Sequence, residues 1–295
     1  MSVFVQQNGI ICSFNSSTPW SILSPIEQSI KHKIEAVGTP LKDWNIQINY
    51  GIKTGYNDAF IIDTSKRDEI LASCQTKEER ERTAELIRPI LRGRDIKRYG
   101  YEWANLWLIN THNGIKGKLP RIQIEDYPAI KAHIDQYWNK ISERVDKGDT
   151  PYNLRNCTYL EDFSKPKILF QEIVQSSQFI LDENNHFFCN DTGRIITGES
   201  LYFLLAILNS KLFFYSVKKF YGGGVLGEHG IRMKHPFFEN FPCIPFSSKI
   251  ESIAIQLSSC YDNTLSNRLD ALIEKEYGLS KEEIQTIRSE FNQSE

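Results

Sequence analysis

The stretch from Gly51 to Tyr99 constrains the fold more than any other part of the chain. It opens with Gly51-Ile-Lys-Thr-Gly-Tyr-Asn-Asp-Ala-Phe60 and closes with Leu91-Arg-Gly-Arg-Asp-Ile-Lys-Arg-Tyr99. Asn45 to Tyr50 alternates, with Ile46, Ile48 and Tyr50 on one face, which is the period of a strand. Gly51 and Gly55 then flank Lys53 and Thr54, which calls for a turn with unusual φ or a close backbone approach. Ala59 to Ile62 reads as a short returning strand, so a hairpin is expected, its tip carrying Lys53, Thr54 and Asn57. The closing segment crowds Arg92, Arg94, Lys97 and Arg98 around Gly93 and ends on Tyr99. A phosphate backbone is the simplest partner for such a cluster. A solvated loop that merely carries charge accounts for the same residues.

Around this stretch the chain alternates between helix and strand signals. Ser24 and Glu27 form a capping box with Pro25 at the first helical position, Ile26, Ile30, Ile34 and Val37 mark one face, and Gly38 is the stop. A helix capped by Thr76 and Glu79 is expected to end at Pro89. Asn105 to Asn110 reads as a buried strand, Asp126 to Val145 as a helix, and Asp146 to Asn156 as an exposed turn-rich loop. Three strand pieces, Ile168–Ile173, Phe179–Leu181 and Phe187–Cys189, suggest a meander with a turn at 182–185. Glu199 to Tyr221 reads as one long apolar helix ended by Gly222-Gly-Gly224, with Arg232, Lys234 and His235 in the following loop and an extended exit at Phe241–Pro245. Ser248 with Glu251 opens a helix running to Gly278, and Ser280 with Glu283 opens a last one. The pattern predicts an α+β fold: a mixed sheet with packed helices and a C-terminal helical appendage. Its expected parts are an N-terminal segment and helix (1–38), an α+β domain (39–247) and the appendage (248–295).

Composition removes several classes. The chain has 295 residues and a net charge of −2, so any nucleic-acid binding must come from charges segregated onto one face. Six cysteines are scattered without a C-x-x-C pair and no signal peptide precedes them, so they read as reduced thiols in a cytoplasmic protein. The longest apolar run, Leu201 to Leu208, is too short to cross a bilayer. The histidines show no ligand spacing, so no metal site is expected.

Four chemistries leave at most partial motifs. Gly222 to Gly227 spells G-x-G-x-x-G, but a helix precedes it where the dinucleotide fingerprint needs a strand. No Pro-Pro occurs, so the tetrapeptide that holds the target amino group in base amino-methyltransferases is missing. Asp95-Ile-Lys97 could be half of a metal-dependent nuclease site, yet Asp95 between Arg94 and Lys97 reads more simply as an ion-pair residue holding Arg92 or Arg94. No Ser or Cys stands in a nucleophile motif.

The ordered segments resemble the C-terminal target-recognition region of type IIG restriction–modification enzymes and of Taq-type adenine-specific DNA methyltransferases. The matching residues are G-x-x-T-G-x-N-x-A-F at 51–60 and L-R-G-R-D-I-x-x-Y at 91–99. After them come Pro166-Lys-Ile-Leu-Phe-Gln-Glu-Ile173, Leu204-Leu-Ala-Ile-Leu-Asn-Ser-Lys211 and Pro242-Cys-Ile-Pro245. The likeness runs from about residue 20 to 290. It implies sequence-specific recognition of double-stranded DNA by a non-catalytic chain. Methyltransferase and nuclease domains would act in cis or in trans, and S-adenosylmethionine and Mg2+ would belong to the full enzyme. Candidate DNA contacts are Lys53, Thr54 and Asn57; Arg92, Arg94, Lys97, Arg98 and Tyr99; Lys116, Lys118 and Arg121; and Gln175, Arg232 and Lys234. Arginine reads guanine and amides read adenine, so the palette suits base edges. Two alternatives remain: a DNA-modifying enzyme in its own right, either a Mg-dependent nuclease or a degenerate adenine methyltransferase, and an interaction module docking through the 248–292 helices.

Overall fold

The structure is a computed structural model that describes residues 23–184, 186–222, 225–226 and 230–292. Two compact units divide the chain. One comprises the described residues up to Trp44, Val174–Ser177, and those from Tyr202 on; the other comprises Asn45–Ile173 and Gln178–Leu201. Strands and helices mix throughout, as an α+β fold requires.

In the second unit, Ile46–Tyr50 is the expected strand, but it forms no hairpin with the residues after Gly51. Gly51 leaves the sheet so close to Asn190 that a Cβ would lie 1.8 Å from the Asn190 carbonyl oxygen. Ile52 then forms a parallel bridge to Asn190, and Asn57–Phe60 coils into a helical turn that buries Ala59 and Phe60 completely. The next strand, Ile61–Asp63, belongs to another sheet. Two four-stranded sheets result. One is antiparallel, in the order Phe179–Asp182, Lys167–Gln171, Gly193–Gly198, Ile46–Tyr50. The other is mixed, in the order Phe188–Cys189, Ile87–Leu91, Leu106–Ile109, Ile61–Asp63, with its first pair parallel.

Several expected boundaries move for local reasons. Pro89 does not stop a helix. The helix is Lys77–Leu86, its last turn closed by Ile87 N–H on the Thr83 carbonyl, and Pro89 sits inside the next strand. A helix at Thr64–Ser73, capped by Asp63, has no clear sequence signal because it buries just Ile70 and Leu71 and shows no repeating face. The expected meander is a two-stranded hairpin: Phe188–Cys189 leaves it for the other sheet, and Gly193–Gly198 takes the place beside Lys167–Gln171. The helix expected over 126–145 is two pieces, Pro128–Asp135 and Trp138–Ile141. Inside the antiparallel sheet, Lys167 is fully buried opposite Asp182, with Nζ 2.7 Å from Oδ2. Burial pulls the ammonium down, against the attraction of Asp182. Asp182 also accepts the Phe187 N–H at 2.9 Å, so both buried charges are hydrogen-bonded.

The first unit is mainly helical. Pro25–Val37 carries the predicted capping box, and a Cβ on Gly38 would meet the Pro242 carbonyl oxygen at 2.4 Å. That approach lets Thr39–Pro40 pair with Pro242–Cys243, and Tyr277 donates its hydroxyl to the Pro242 carbonyl at 2.7 Å. The long apolar helix breaks: Leu201–Leu208 ends where Ser210 caps Lys211–Ser216, and a π-turn, Val217–Tyr221, comes next. Arg232 closes a short strand, Gly230–Arg232, and His235–Phe238 is a helical turn. The helix expected over 248–278 is two, Ser248–Ser259 and Asn263–Glu276, because Asp262 caps the second through Leu265 N–H at 2.6 Å. Lys281–Asn292 completes the set. Of the G-x-G-x-x-G match, Gly223, Gly224 and Gly227 lie outside the described residues, as do the N-terminal segment before residue 23 and Asn185 of the expected turn.

Candidate nucleic-acid interface

The basic cluster is a folded object. Gly93–Asp95 is a 3-10 turn. Arg92 lays its guanidinium on Asp95, with Nη2 to Oδ1 at 2.7 Å and Nε to Oδ2 at 3.0 Å, while Asp95 accepts the Arg92 N–H at 2.9 Å. Asp95 is 5% exposed, so its carboxylate serves as the hold on Arg92 that the sequence suggested. Gly93 makes its close approach to the chain itself: a Cβ there would meet Gln171 Cγ and the Thr192 carbonyl oxygen, each at 2.8 Å. Arg94 at the turn is exposed and takes part in none of the ion pairs among the described residues. Lys97 donates to the Arg94 carbonyl at 3.1 Å and reaches Glu102 at 3.4 Å. Arg98 is half-buried, its guanidinium 6.0 Å from the Tyr99 ring centre. Tyr99 itself is a core residue in a left-handed conformation, φ 58°, its N–H on the Phe179 carbonyl.

Four other predicted residues of this unit line two adjoining cavities. One, of about 520 Å³, is bordered by Tyr50 to Lys53, Arg155 to Cys157, Tyr159, Glu172, Asp191 and Arg194. The second, of about 640 Å³, is bordered by the 113–121 loop, Asp149 and residues 156–158, and the two share Asn156 and Cys157. Lys53 lies at the first, whereas Lys116, Lys118 and Arg121 line the second. Lys116 tops a turn whose Gly114 and Gly117 have φ of 73° and 76°, Lys118 pairs with Glu161, and Arg121 pairs with Asp149 at 3.2 Å. Thr54 is buried and donates to Asn57 Oδ1 at 2.6 Å, so this pair braces the turn. Gln175 is exposed, and Arg232 and Lys234 are half-buried; all three belong to the other unit.

Two buried arginines escaped the sequence reading. Arg144 is 6% exposed and aims both terminal nitrogens at backbone carbonyls: Nη1 at Thr54 and, 2.8 Å away, Asp146; Nη2 at Pro151 (3.1 Å) and Asn153 (2.5 Å). Its guanidinium carbon lies 4.5 Å from the Phe60 ring centre. Burial pulls its pKa down to about 10, so it stays charged at neutral pH. Arg194, 4% exposed, pairs with Glu172 and lies 4.0 Å over the Tyr50 ring, which gives the first cavity a rigid wall. Neither was legible, because nothing in a single sequence marks which arginine turns inward.

Burial pushes the Cys157 and Cys189 thiols up to about 12, away from the nucleophilic thiolate. Among the described residues no three His, Cys, Asp or Glu side chains converge to hold a metal ion. No single helix among them is long and apolar enough to cross a membrane.

The described residues form an α+β fold whose loops present cations and amides. Residues 88–224 match the model of the TaqI-like C-terminal specificity domain. The resemblance seen in the sequence motifs is thereby borne out. Two solved structures share the fold. One is the type IIL restriction-modification enzyme MmeI in complex with DNA, with a TM-score of 0.61, 14% identity, and coverage of 86% of this chain and 36% of that one. The other is the type IIG restriction endonuclease BpuSI, with a TM-score of 0.52, 14% identity, and coverage of 85% and 32%. The chain thus spans about a third of the length of either enzyme. Comparison with curated protein sequences yields no match.

Proposed function

We propose that this chain recognises a specific sequence in double-stranded DNA as the target-recognition part of a type IIG-like restriction–modification enzyme. The observation that carries this reading is the specificity-domain match over 88–224, which takes in the Arg92–Tyr99 cluster and the 113–121 loop. Arg94, Lys97, Arg98 and Lys118 grip phosphates, with Arg92 held ready by Asp95. Base edges are read from the exposed Asn57 of the 53–57 turn and from Gln175, Arg232 and Lys234, whereas buried Thr54 only braces that turn. Methyl transfer and cleavage, with S-adenosylmethionine and Mg2+, belong to domains in cis or in trans. Asp95 speaks against a nuclease in this chain, because both its oxygens are engaged by Arg92. Binding of a labelled duplex by fluorescence anisotropy across a salt series tests the reading. Affinity should fall steeply with salt, and Arg94→Ala or Lys118→Ala should each flatten the slope by about one unit. Binding that ignores salt, or none at low salt, would refute it.

A further inference from the structure

Asp146 lies between two cations from separate parts of the chain. Its Oδ2 is 3.0 Å from Lys53 Nζ and its Oδ1 is 2.8 Å from Arg155 Nη1. Each carboxylate oxygen therefore has its own cation, as two non-bridging oxygens of a phosphodiester would. Both cations border the 520 Å³ cavity, whereas Asp146 does not. The cation side chains are 47% and 55% exposed and Asp146 is 27% exposed, so solvent reaches the cations more freely than the acid between them. The backbone under this group is rigid. Arg144 binds the carbonyls of Thr54 and Asp146, and Gly55, with φ 69°, packs so closely that a Cβ would meet the Asp146 carbonyl oxygen at 2.6 Å. The backbone next to Lys53 and at Asp146 is thus held by a buried support.

We propose that Lys53 and Arg155 form a phosphate site of the DNA interface in which Asp146 holds the anion position until a backbone phosphate displaces it. This rests on the DNA-recognition reading above and adds a residue, Arg155, and a regulating acid to it. An internal counter-ion keeps two cations from gripping any polyanion strongly, because each phosphate contact must first displace a carboxylate. Correctly seated DNA, held by its other contacts, makes that exchange. The acid therefore weakens indiscriminate binding more than specific binding.

The test uses the full chain and a short fluorescein-labelled duplex of arbitrary sequence, with anisotropy read across a salt series. Asp146→Asn should tighten binding at low salt by roughly three- to tenfold and steepen the salt dependence. The Lys53→Gln/Arg155→Gln variant should flatten the slope by about two units. In that background Asp146→Asn should add little, because nothing is left for it to release. The proposal falls if Asp146→Asn binds no tighter while melting like the wild type, or if it tightens binding equally without the two cations. Should Asp146→Asn fail to fold, an unchanged slope in the Lys53→Gln/Arg155→Gln variant overturns it alone. Wild-type chain that ignores duplex DNA at low salt would instead refute the recognition reading itself.

Discussion

Arg144 donates to four backbone carbonyls that belong to the 51–55 turn and the 146–153 loop, so one side chain ties two binding segments together. A lysine cannot replace it, since an ammonium lacks the planar fork that reaches acceptors on both sides. Arg144→Met should orphan the Thr54, Asp146 and Pro151 carbonyls, each worth about 1–3 kcal/mol when buried and unpaired, for a total loss of about 3 kcal/mol or more, while the Asn153 carbonyl keeps the Gly148 N–H at 2.9 Å. The loss is read as a lowered urea midpoint with an unchanged m-value. A midpoint equal to wild type would show that water replaces the guanidinium without cost. Three of the four cations of the basic cluster stand differently: Arg92 lies on Asp95, Lys97 reaches Glu102 at 3.4 Å, and Arg94 is exposed, a difference invisible in the string Arg-Gly-Arg-Asp-Ile-Lys.

The last helix, Lys281–Asn292, is held by its first turn. Ser280 and Glu283 cap it reciprocally, and Glu283 also accepts from Ser29 at 2.7 Å and Lys33 at 2.7 Å, which ties it to the Pro25–Val37 helix. Burial alone would raise the Glu283 pKa, but Lys33, the Ser280 N–H and Ser29 outweigh it and bring it down to about 2 from 4.5. The folded value lies below the unfolded one, so this contribution is complete above about 4.5 and lost as pH falls toward 2. It amounts to about 3 kcal/mol at neutral pH. Glu283→Gln should therefore be less stable than wild type at pH 7, with the gap closing as acid is added. Parallel urea titrations at several pH values measure it; a gap that persists at the lowest pH contradicts the assignment. The helix breaks near Ser210 and Asp262 belong to this scale as well. Apolar periodicity continues across both, while a single capping side chain restarts the helix at each.

For the whole molecule, the chain spans about a third of the length of the two enzymes that share its fold, and the proposed role assigns catalysis to domains outside it. Alone, it should transfer no methyl group from S-adenosylmethionine and cut no DNA with Mg2+. An activity abolished by Asp95→Ala would contradict that. Fused to an active methyltransferase, an Arg94→Ala chain should methylate all its sites less well. Gln175 or Arg232 substitutions should instead change which sites are chosen, since each base-edge contact discriminates by about 1–3 kcal/mol. Sequencing of methylated sites separates the two outcomes. The reverse pattern, with Arg94 shifting the preferred sequence, would mean that phosphate and base contacts are assigned the wrong way round.

The amino-acid sequence by itself determined the local structure whose causes lie within a few residues. The Ser24–Glu27, Thr76–Glu79 and Ser280–Glu283 caps, the Ile46–Tyr50 and Leu106–Ile109 strands and the Arg92–Asp95 pairing all arise from neighbours in sequence. Strand partnership was left to the tertiary structure. Gly51 and Gly93 announced close approaches, yet whether to a ligand or to the chain's own Asn190 and Thr192 depended on residues 139 and 99 positions away. The hairpin expected after Tyr50 failed for the same reason: burying Ala59 and Phe60 and bridging Ile52 to Asn190 outweighed a local turn. Which cations face solvent and which brace loops was decided there too. A charge whose partner lies far along the chain meets it through long-range packing, as Lys53 meets Asp146 across 93 positions.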